Sequence, residues 1–513
     1  MSPTPPTTDS GRTTSVWMAT SATPSEPKLT KSLSTDVCVI GAGIAGMTSA
    51  DLLAVAGKRV VVLDDVAIGG GETSRTTAHL SNAFDDRYFR AEEMHGADGA
   101  RMIAESHSAA IDRIEAIVTA EAIDCDFRRL DGYLFLATQH SRDLLEKELA
   151  AAHRAGLADV ELLPRAPGLS FDSGPCLHFP RQATFHPLEY LTGLALAIER
   201  KGGLIFTGAH VEDIQGKSPV TVKVKRHTVT ASSVVVATNA PISDYVVTHA
   251  KQAPYRSYVI GARVPKGSVP DVLLWDTGDP YHYVRIHATD DADVLVVGGE
   301  DHKTGQKEDY SDRFERLLTW TRERFPMVSQ SSFAWSGQVL EPADYVAMIG
   351  KNPGDALPNV YIATGDSGQG MTHGTIAGIL LTDLITGRFN PWTALYDPSC
   401  VTLRSAPDLM KENLNAALQY VDFVKPGDVE SVREIMIGEG AIVRHGLQLV
   451  ATYRDRDGEI HERSAVCPHL KCIVHWNAME KSWDCPCHGS RFDPYGEVLN
   501  GPAAAPLAKV QSS

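Results

Sequence analysis

Near the C-terminus, four residues stand at spacings that could hold metal. Cys467 and His469 form a Cys-x-His pair, Cys485 and His488 a Cys-x-x-His pair, and fifteen residues separate the two. Two facing loops can then present two thiolates and two imidazoles. That donor set serves a [2Fe–2S] centre in which two cysteines hold one iron and two histidines hold the other. Cys467 and Cys485 are accordingly assigned to one iron, His469 and His488 to the second. Zinc accepts the same donors and stands as the alternative, although zinc fingers usually pair Cys with Cys and His with His, and each loop here carries one of each.

A second chemical signal lies close to the other end. Asp36-Val37-Cys38-Val39-Ile40 reads as a short buried strand, Gly41-Ala42-Gly43-Ile44-Ala45-Gly46 as a G-x-G-x-x-G turn, and residues 47–56 as a helix. Residues 59–63 form another strand that ends at Asp64, eighteen residues past Gly46. In this order the glycines let a pyrophosphate approach the helix N-terminus and the carboxylate accepts a ribose hydroxyl, which predicts dinucleotide binding. A glycine- and threonine-rich loop, Gly69 to His79, follows directly, and a simple NAD domain has no use for it. Far along the chain, residues 360–364 run as a strand into Gly365-Asp366-Ser367-Gly368-Gln369-Gly370-Met371-Thr372-His373, with a helix over 374–385. This second glycine turn can bring another helix N-terminus to the pyrimidine end of a flavin.

The two glycine turns together, over about residues 36–400, resemble the FAD-dependent D-amino-acid-oxidase superfamily of glycine, sarcosine and glutamylputrescine oxidases. The resemblance implies FAD rather than NAD, held by Gly41, Gly43, Ile44, Ala45, Gly46, Asp64, Thr76, Thr77, His79, Val211, Thr238, Gly365, Gly368, Gly370, Met371 and Thr372. Thr207 to Val211 matches the segment whose backbone meets adenine, and Val234 to Ala240 the strand returning to the cofactor. His79 resembles the histidine that carries covalent flavin in dimethylglycine-dehydrogenase-like relatives, with a histidine merely adjacent to the flavin as the other reading. The segments CPHLKC and CPCHGSRFD likewise resemble the two cluster-binding boxes of the Rieske family. That likeness implies a disulfide between Cys472 and Cys487, against two free buried thiols as the plain reading. It also implies a sulfur-directed hydrogen bond from Ser490 and a covering loop at Gly501-Pro502-Ala503. Phe492 stands where high-potential members carry a tyrosine, so an intermediate potential is expected.

For substrate, the strand around Tyr281-His282-Tyr283-Val284-Arg285 places Tyr281, Tyr283 and Arg285 on one face, because side chains alternate along a strand. Superfamily members use tyrosine and arginine here to hold a carboxylate, and the planar guanidinium suits that ligand. The plain alternative is aromatic packing with a surface ion pair. Tyr258, with Tyr255 and Arg256, is a second candidate set. Trp335 reads as core rather than substrate roof, and Glu341 as a solvated or ion-paired acid, with an active-site acid as the other reading.

These side chains need an α/β FAD-binding Rossmann-like domain, an α+β substrate domain with a sheet over about 253–300, and a small all-β Rieske domain. The expected order is a disordered Ser/Thr/Pro-rich tail (1–35), the oxidoreductase (36–400), a linker helix (401–429) and the Rieske domain (430–513). The 513 residues, 43% hydrophobic and 22% charged, suit a folded globular chain. A formal charge of −16 disfavours nucleic acid and anionic membrane as partners, and no apolar run reaches the length of a membrane span. The tail lacks a signal-peptide core, so a cytoplasmic location is expected. The combined expectation is oxidation of an amine, amino acid or N-methyl amino acid to an imine, with electrons relayed through the cluster to an external acceptor such as ferredoxin, quinone or oxygen. The alternatives are a reductase that takes electrons in through the cluster, and a redox sensor.

Overall fold

A computed structural model describes residues 11–24, 26–243, 248–307, 309–354, 356–400 and 402–510. Its first layer is a sheet in the order Met348–Lys351, Val360–Thr364, His227–Val236, Leu33–Ile40, Val60–Leu63, Leu204–Phe206. The last five run parallel. Parallel strands are covered on both faces, which is why VCVI, VVVL and VVV read as unbroken apolar runs. The helices Ile44–Val55 and Gly370–Thr386 pack together on this sheet.

A second sheet, largely antiparallel, carries Phe333–Pro342, Gln252–Val264, Asp293–Lys303, His282–Ala288, Leu273–Asp276, Arg128–Phe135, Cys176–Thr184 and His79–Leu80 in that order. It is wider than the 253–300 region expected, because strands from four separate stretches of chain complete it. One face packs on the helix Tyr310–Arg324, through Tyr258, Ile260 and Ala262; the other turns Val259 toward the main core. The helix Ala406–Leu418 and the short 3-10 helix Gln419–Val424 then lead to two small antiparallel sheets, Glu439–His445 to Ile460–Ser464 and His475–Asn477 to Val498–Asn500.

One expectation is corrected. Residues 1–10 and Ser25 lie outside the described residues, but the predicted tail is anchored by buried residues at Ser15–Met18 and Leu29. The helix Val16–Thr20 buries Val16, Trp17 and Met18 in the main core. Trp17 Nε1 donates to Thr76 O at 2.6 Å and Ser15 Oγ to Ser74 O at 2.6 Å. Ser/Thr/Pro composition signals weak propensity for a core of its own. It is silent about one tryptophan docking into a core built elsewhere. No helix among the described residues is long and apolar enough to cross a membrane.

Candidate functional site

The edge of the parallel sheet and the inner face of the second sheet enclose a cavity of about 300 Å³. Gly41 (φ +105°) turns the chain out of the first strand, and a Cβ there would lie 2.3 Å from Ala237 O. Gly46 does not line the cavity; a Cβ on it would lie 1.9 Å from Gly41 O, so its smallness lets the helix sit against the turn. Gly43, Ile44, Ala45, Asp64, Thr76, Thr77, His79, Val211, Thr238, Gly365, Gly368, Gly370 and Met371 all contribute to the wall. Thr372 does not: it is buried, and its hydroxyl donates to Gln369 O. Asp64 accepts from Ala42 N (2.6 Å) and Val66 N (2.9 Å), while burial pushes its carboxyl up to about 7. The cradle therefore offers a backbone turn, a helix N-terminus and an acid at the spacing a dinucleotide needs. From the far side, the helix Gly370–Thr386 aims its N-terminus into the same space.

Tyr281 and Tyr283 reach this cavity, 5.3 Å apart by ring centroid, together with Trp275. Tyr281 donates to Asp85 Oδ2 at 2.9 Å, and Tyr283 shares a 2.6 Å hydrogen bond with Ser257. Gly368 (φ +70°) makes room here, since a Cβ would lie 2.4 Å from Asp85 Oδ2. His79 lines the wall, its Nδ1 3.0 Å from Thr77 Oγ1 and its Nε2 3.3 Å from Val284 O. Burial and nearby Arg285 push its pKa down to about 3, so it is a neutral ring.

Two of the proposed catalytic residues do not line the cavity. Tyr258 faces the opposite side of its strand from Ser257 and Val259, and its hydroxyl meets His302 Nε2 at 2.8 Å among the helix-packed residues. Arg285 shares a face with Tyr283 but is fully buried beneath the flavin loop. It donates to Thr77 O (3.2 Å), Ala78 O (2.8 Å) and Phe185 O (3.1 Å). A guanidinium committed to main-chain carbonyls is a scaffold, not a carboxylate grip. Glu341 is half-buried and forms no ion pair among the described residues. It accepts from Ser367 Oγ (3.0 Å), as does Asp86 (3.0 Å). Desolvation first, then Asp86 and Asp85, hold its carboxyl well above the usual range. Asp85, Asp86 and Gln369 are the residues that sequence reasoning missed, although the acid pair after the Thr-rich loop was visible.

The cluster ligands converge. Cys467 and Cys485 are buried free thiols, and the His469 and His488 rings lie 5.2 Å apart. Nδ1 of His488 is buried with no hydrogen-bond partner among the described residues, as a nitrogen reserved for iron would be. Cys472 and Cys487 form a disulfide. Ser490 Oγ accepts from Ala503 N at 3.1 Å, tying the second box to the covering loop. Val498, Leu499, Asn500, Gly501, Ala503 and Ala504 of this same domain also form part of the dinucleotide cavity's wall, beside Ala209 and Val211.

Comparison with known proteins agrees with this geometry. Residues 36–384 match the family described as FAD dependent oxidoreductase (DAO), and residues 424–511 match the Rieske [2Fe-2S] domain. YhfW of Bacillus subtilis, described as a Rieske 2Fe-2S iron-sulfur protein, is 32% identical over 96% of this chain and 97% of its own. The gamma-glutamylputrescine oxidoreductase of Escherichia coli is 30% identical over 73% of this chain and 89% of its own. The glycine oxidase structure from Geobacillus kaustophilus superposes with a TM-score of 0.61 at 17% identity, over 72% of this chain and 99% of that one.

Proposed function

Because the chain belongs to the FAD dependent oxidoreductase (DAO) family and ends in a Rieske [2Fe-2S] domain, we propose that it oxidises the C–N bond of an amine, amino acid or N-methyl amino acid and passes the electrons to an external acceptor. The substrate's carbon and nitrogen lose two electrons and two protons to give an imine, which water hydrolyses to a carbonyl compound and ammonia, or an amine where the nitrogen carries a second carbon. FAD supplies the two-electron acceptor, and the cluster supplies a one-electron outlet. The observation that carries this reading is a single cavity lined at once by the dinucleotide turn, by Tyr281 and Tyr283, and by Val498–Gly501 of the cluster domain.

The chain's own residues prepare the substrate. Asp85 Oδ2, already accepting from Tyr281, can hold a substrate ammonium and take a proton from it. Trp275, Tyr283 and the neutral His79 supply an aromatic wall that excludes water. Arg87, which lines the same wall, is committed to the main-chain carbonyls of Asp85 and Asp276. The acceptor at Asp85 beside a cation so engaged favours the amine among the three substrate classes. The name of the Escherichia coli relative points to an amine as well.

The test is anaerobic stopped-flow absorption with a panel of amines, N-methyl amino acids and D-amino acids. Bleaching of the flavin followed by loss of the oxidised cluster bands is the expected result. If no member of the panel bleaches a flavin that dithionite still reduces, the reading fails.

A further inference from the structure

The two redox sites are joined by a contact that nothing in a dehydrogenase mechanism requires. Glu480, on the turn between His475–Asn477 and Ser482–Asp484, projects out of the cluster domain and is completely buried between the flavin loop and the substrate sheet. Its Oε1 accepts from Thr13 Oγ1 (2.6 Å), Ser336 Oγ and Arg75 Nη1 (3.3 Å) and forms an ion pair with Arg256 Nη2 (3.4 Å), and its Oε2 accepts from Thr13 N (2.9 Å). The two arginines hold its carboxyl well below the usual range against a large desolvation penalty. Arg75 ends the turn Glu72–Arg75 that lines the cofactor cavity, and Glu72 accepts from Gln338 N (2.7 Å) and Asn500 Nδ2 (3.3 Å). Behind Glu480, Asp484 and Arg491 form a buried pair at 2.9 Å. The charge pairing across the seam is thus Glu480 with Arg75 and Arg256.

The cluster's histidine edge lies against this same seam. The His249 ring packs edge-on to His469 (5.1 Å) and to His488 (6.3 Å). Gln338, which lines the cavity, donates through Nε2 to the carbonyl of Gly489, the neighbour of His488, at 3.1 Å. A domain that swings between positions needs an interface whose charges can be rehydrated at each departure. Separating this one would uncover a carboxylate and two guanidiniums that are now fully buried.

We propose that the cluster domain works from this one docked position, with Glu480 as the positioning residue that clamps it to the flavin loop. The inference rests on the relay proposed above but not on the identity of the substrate. In each crossing, one electron leaves the reduced cofactor in the cavity and one ferric iron becomes ferrous. An external one-electron acceptor then restores the ferric state before the second crossing.

Full-length holoenzyme with its flavin reduced by a light flash, EDTA as donor, tests this without any amine. Transfer to the cluster, followed by its visible bands and its EPR signal, is expected to be independent of solvent viscosity in the wild type. In E480Q it should slow at least about tenfold and become viscosity-dependent, a shift of ~1.4 kcal/mol in the docking balance. The cluster's own EPR signal should stay unchanged, amide exchange over residues 475–484 should quicken, and E480D should recover part of the rate. A viscosity-dependent wild-type rate would overturn the proposal, and this arm stands even if a variant fails to fold. So would an E480Q protein with wild-type transfer and exchange. Failure of the amine panel with intact flash-driven transfer would instead sink only the substrate reading.

Discussion

Arg285 separates two accounts of the active site, one in which it grips a substrate carboxylate and one in which it builds the cofactor loop. Replacing it with methionine keeps the length and removes the charge. Its guanidinium is 1% exposed and donates to four main-chain carbonyls, those of Thr77, Ala78, Phe185 and Ile286, while stacking 5.2 Å over Trp17. Burial lowers the pKa of the group to about 9, so desolvation offsets part of what these hydrogen bonds contribute. At ~1 kcal/mol for each of four buried carbonyls left without its donor, R285M should lose about 4 kcal/mol, read by urea titration of the apoprotein. Because Thr77 and His79 line the cofactor cavity, FAD affinity should fall with it, while KM for the amine measured at saturating FAD should stay within about twofold. Unchanged stability and FAD affinity, with a tenfold rise in KM for a carboxylate-bearing substrate only, would refute the scaffold role.

The other expectations follow from single contacts. D85N removes the charge that Tyr281 supports, so KM for a cationic amine should rise about tenfold or more, with FAD content unchanged by absorbance; a normal KM would dismiss Asp85 as the ammonium partner. W17A empties a fully buried site and strips the donor to Thr76 O; calorimetry should show a loss of ~3–5 kcal/mol, and a variant as stable as wild type would contradict the packed N-terminal segment. The C472A/C487A pair opens a loop of sequence separation 15, which predicts ~3 kcal/mol of lost stability and faster cluster bleaching in air. Asp86 is raised to about 7 by burial first and then by Asp85, so between the unfolded value of ~3.9 and 7 the folded chain binds more protons than the unfolded one. Stability of ligand-free protein should therefore fall as pH climbs through that window. D86N should flatten the slope in paired denaturant titrations, and an identical slope would clear Asp86.

What could be read from the sequence was whatever chemistry imposes at short range. Gly41, Gly43 and Asp64 sit at fixed offsets because one turn must meet one pyrophosphate and one ribose, and Cys467, His469, Cys485 and His488 do so because two loops must meet two irons. The disulfide between Cys472 and Cys487 was legible only through the likeness to the Rieske boxes, since spacing alone leaves two free thiols equally open. Tyr258 and Arg285 failed for a different reason. Alternation fixes which side chains share a face, but not what lies opposite that face or how deep along it the cavity ends. The strand pairing shifts register between Arg256 and Tyr258, and Phe185 and Ala78 close over Arg285 from separate elements.

The N-terminal segment and Glu480 share a further reason, and it bears on how the chain is assembled. Thr13 lies 467 positions from Glu480, and Arg75 lies 405 positions away. No local pattern can encode such a meeting, because each partner by itself reads as an ordinary polar surface residue. The packing makes them interdependent: Gly11 O and Thr13 O accept from Arg75 Nη2 at 2.7 and 3.0 Å, and a Cβ on Gly11 would come 2.4 Å from Glu480 Oε2. Residues 11–13 therefore close over a charge network that exists only once both the flavin loop and the cluster domain are in place. A chain built this way should acquire protection of residues 11–20 last in refolding, after the cofactor cradle has formed. Pulse-labelled hydrogen exchange would show that order, and early protection of the segment would mean that it docks on the flavin loop without the cluster domain.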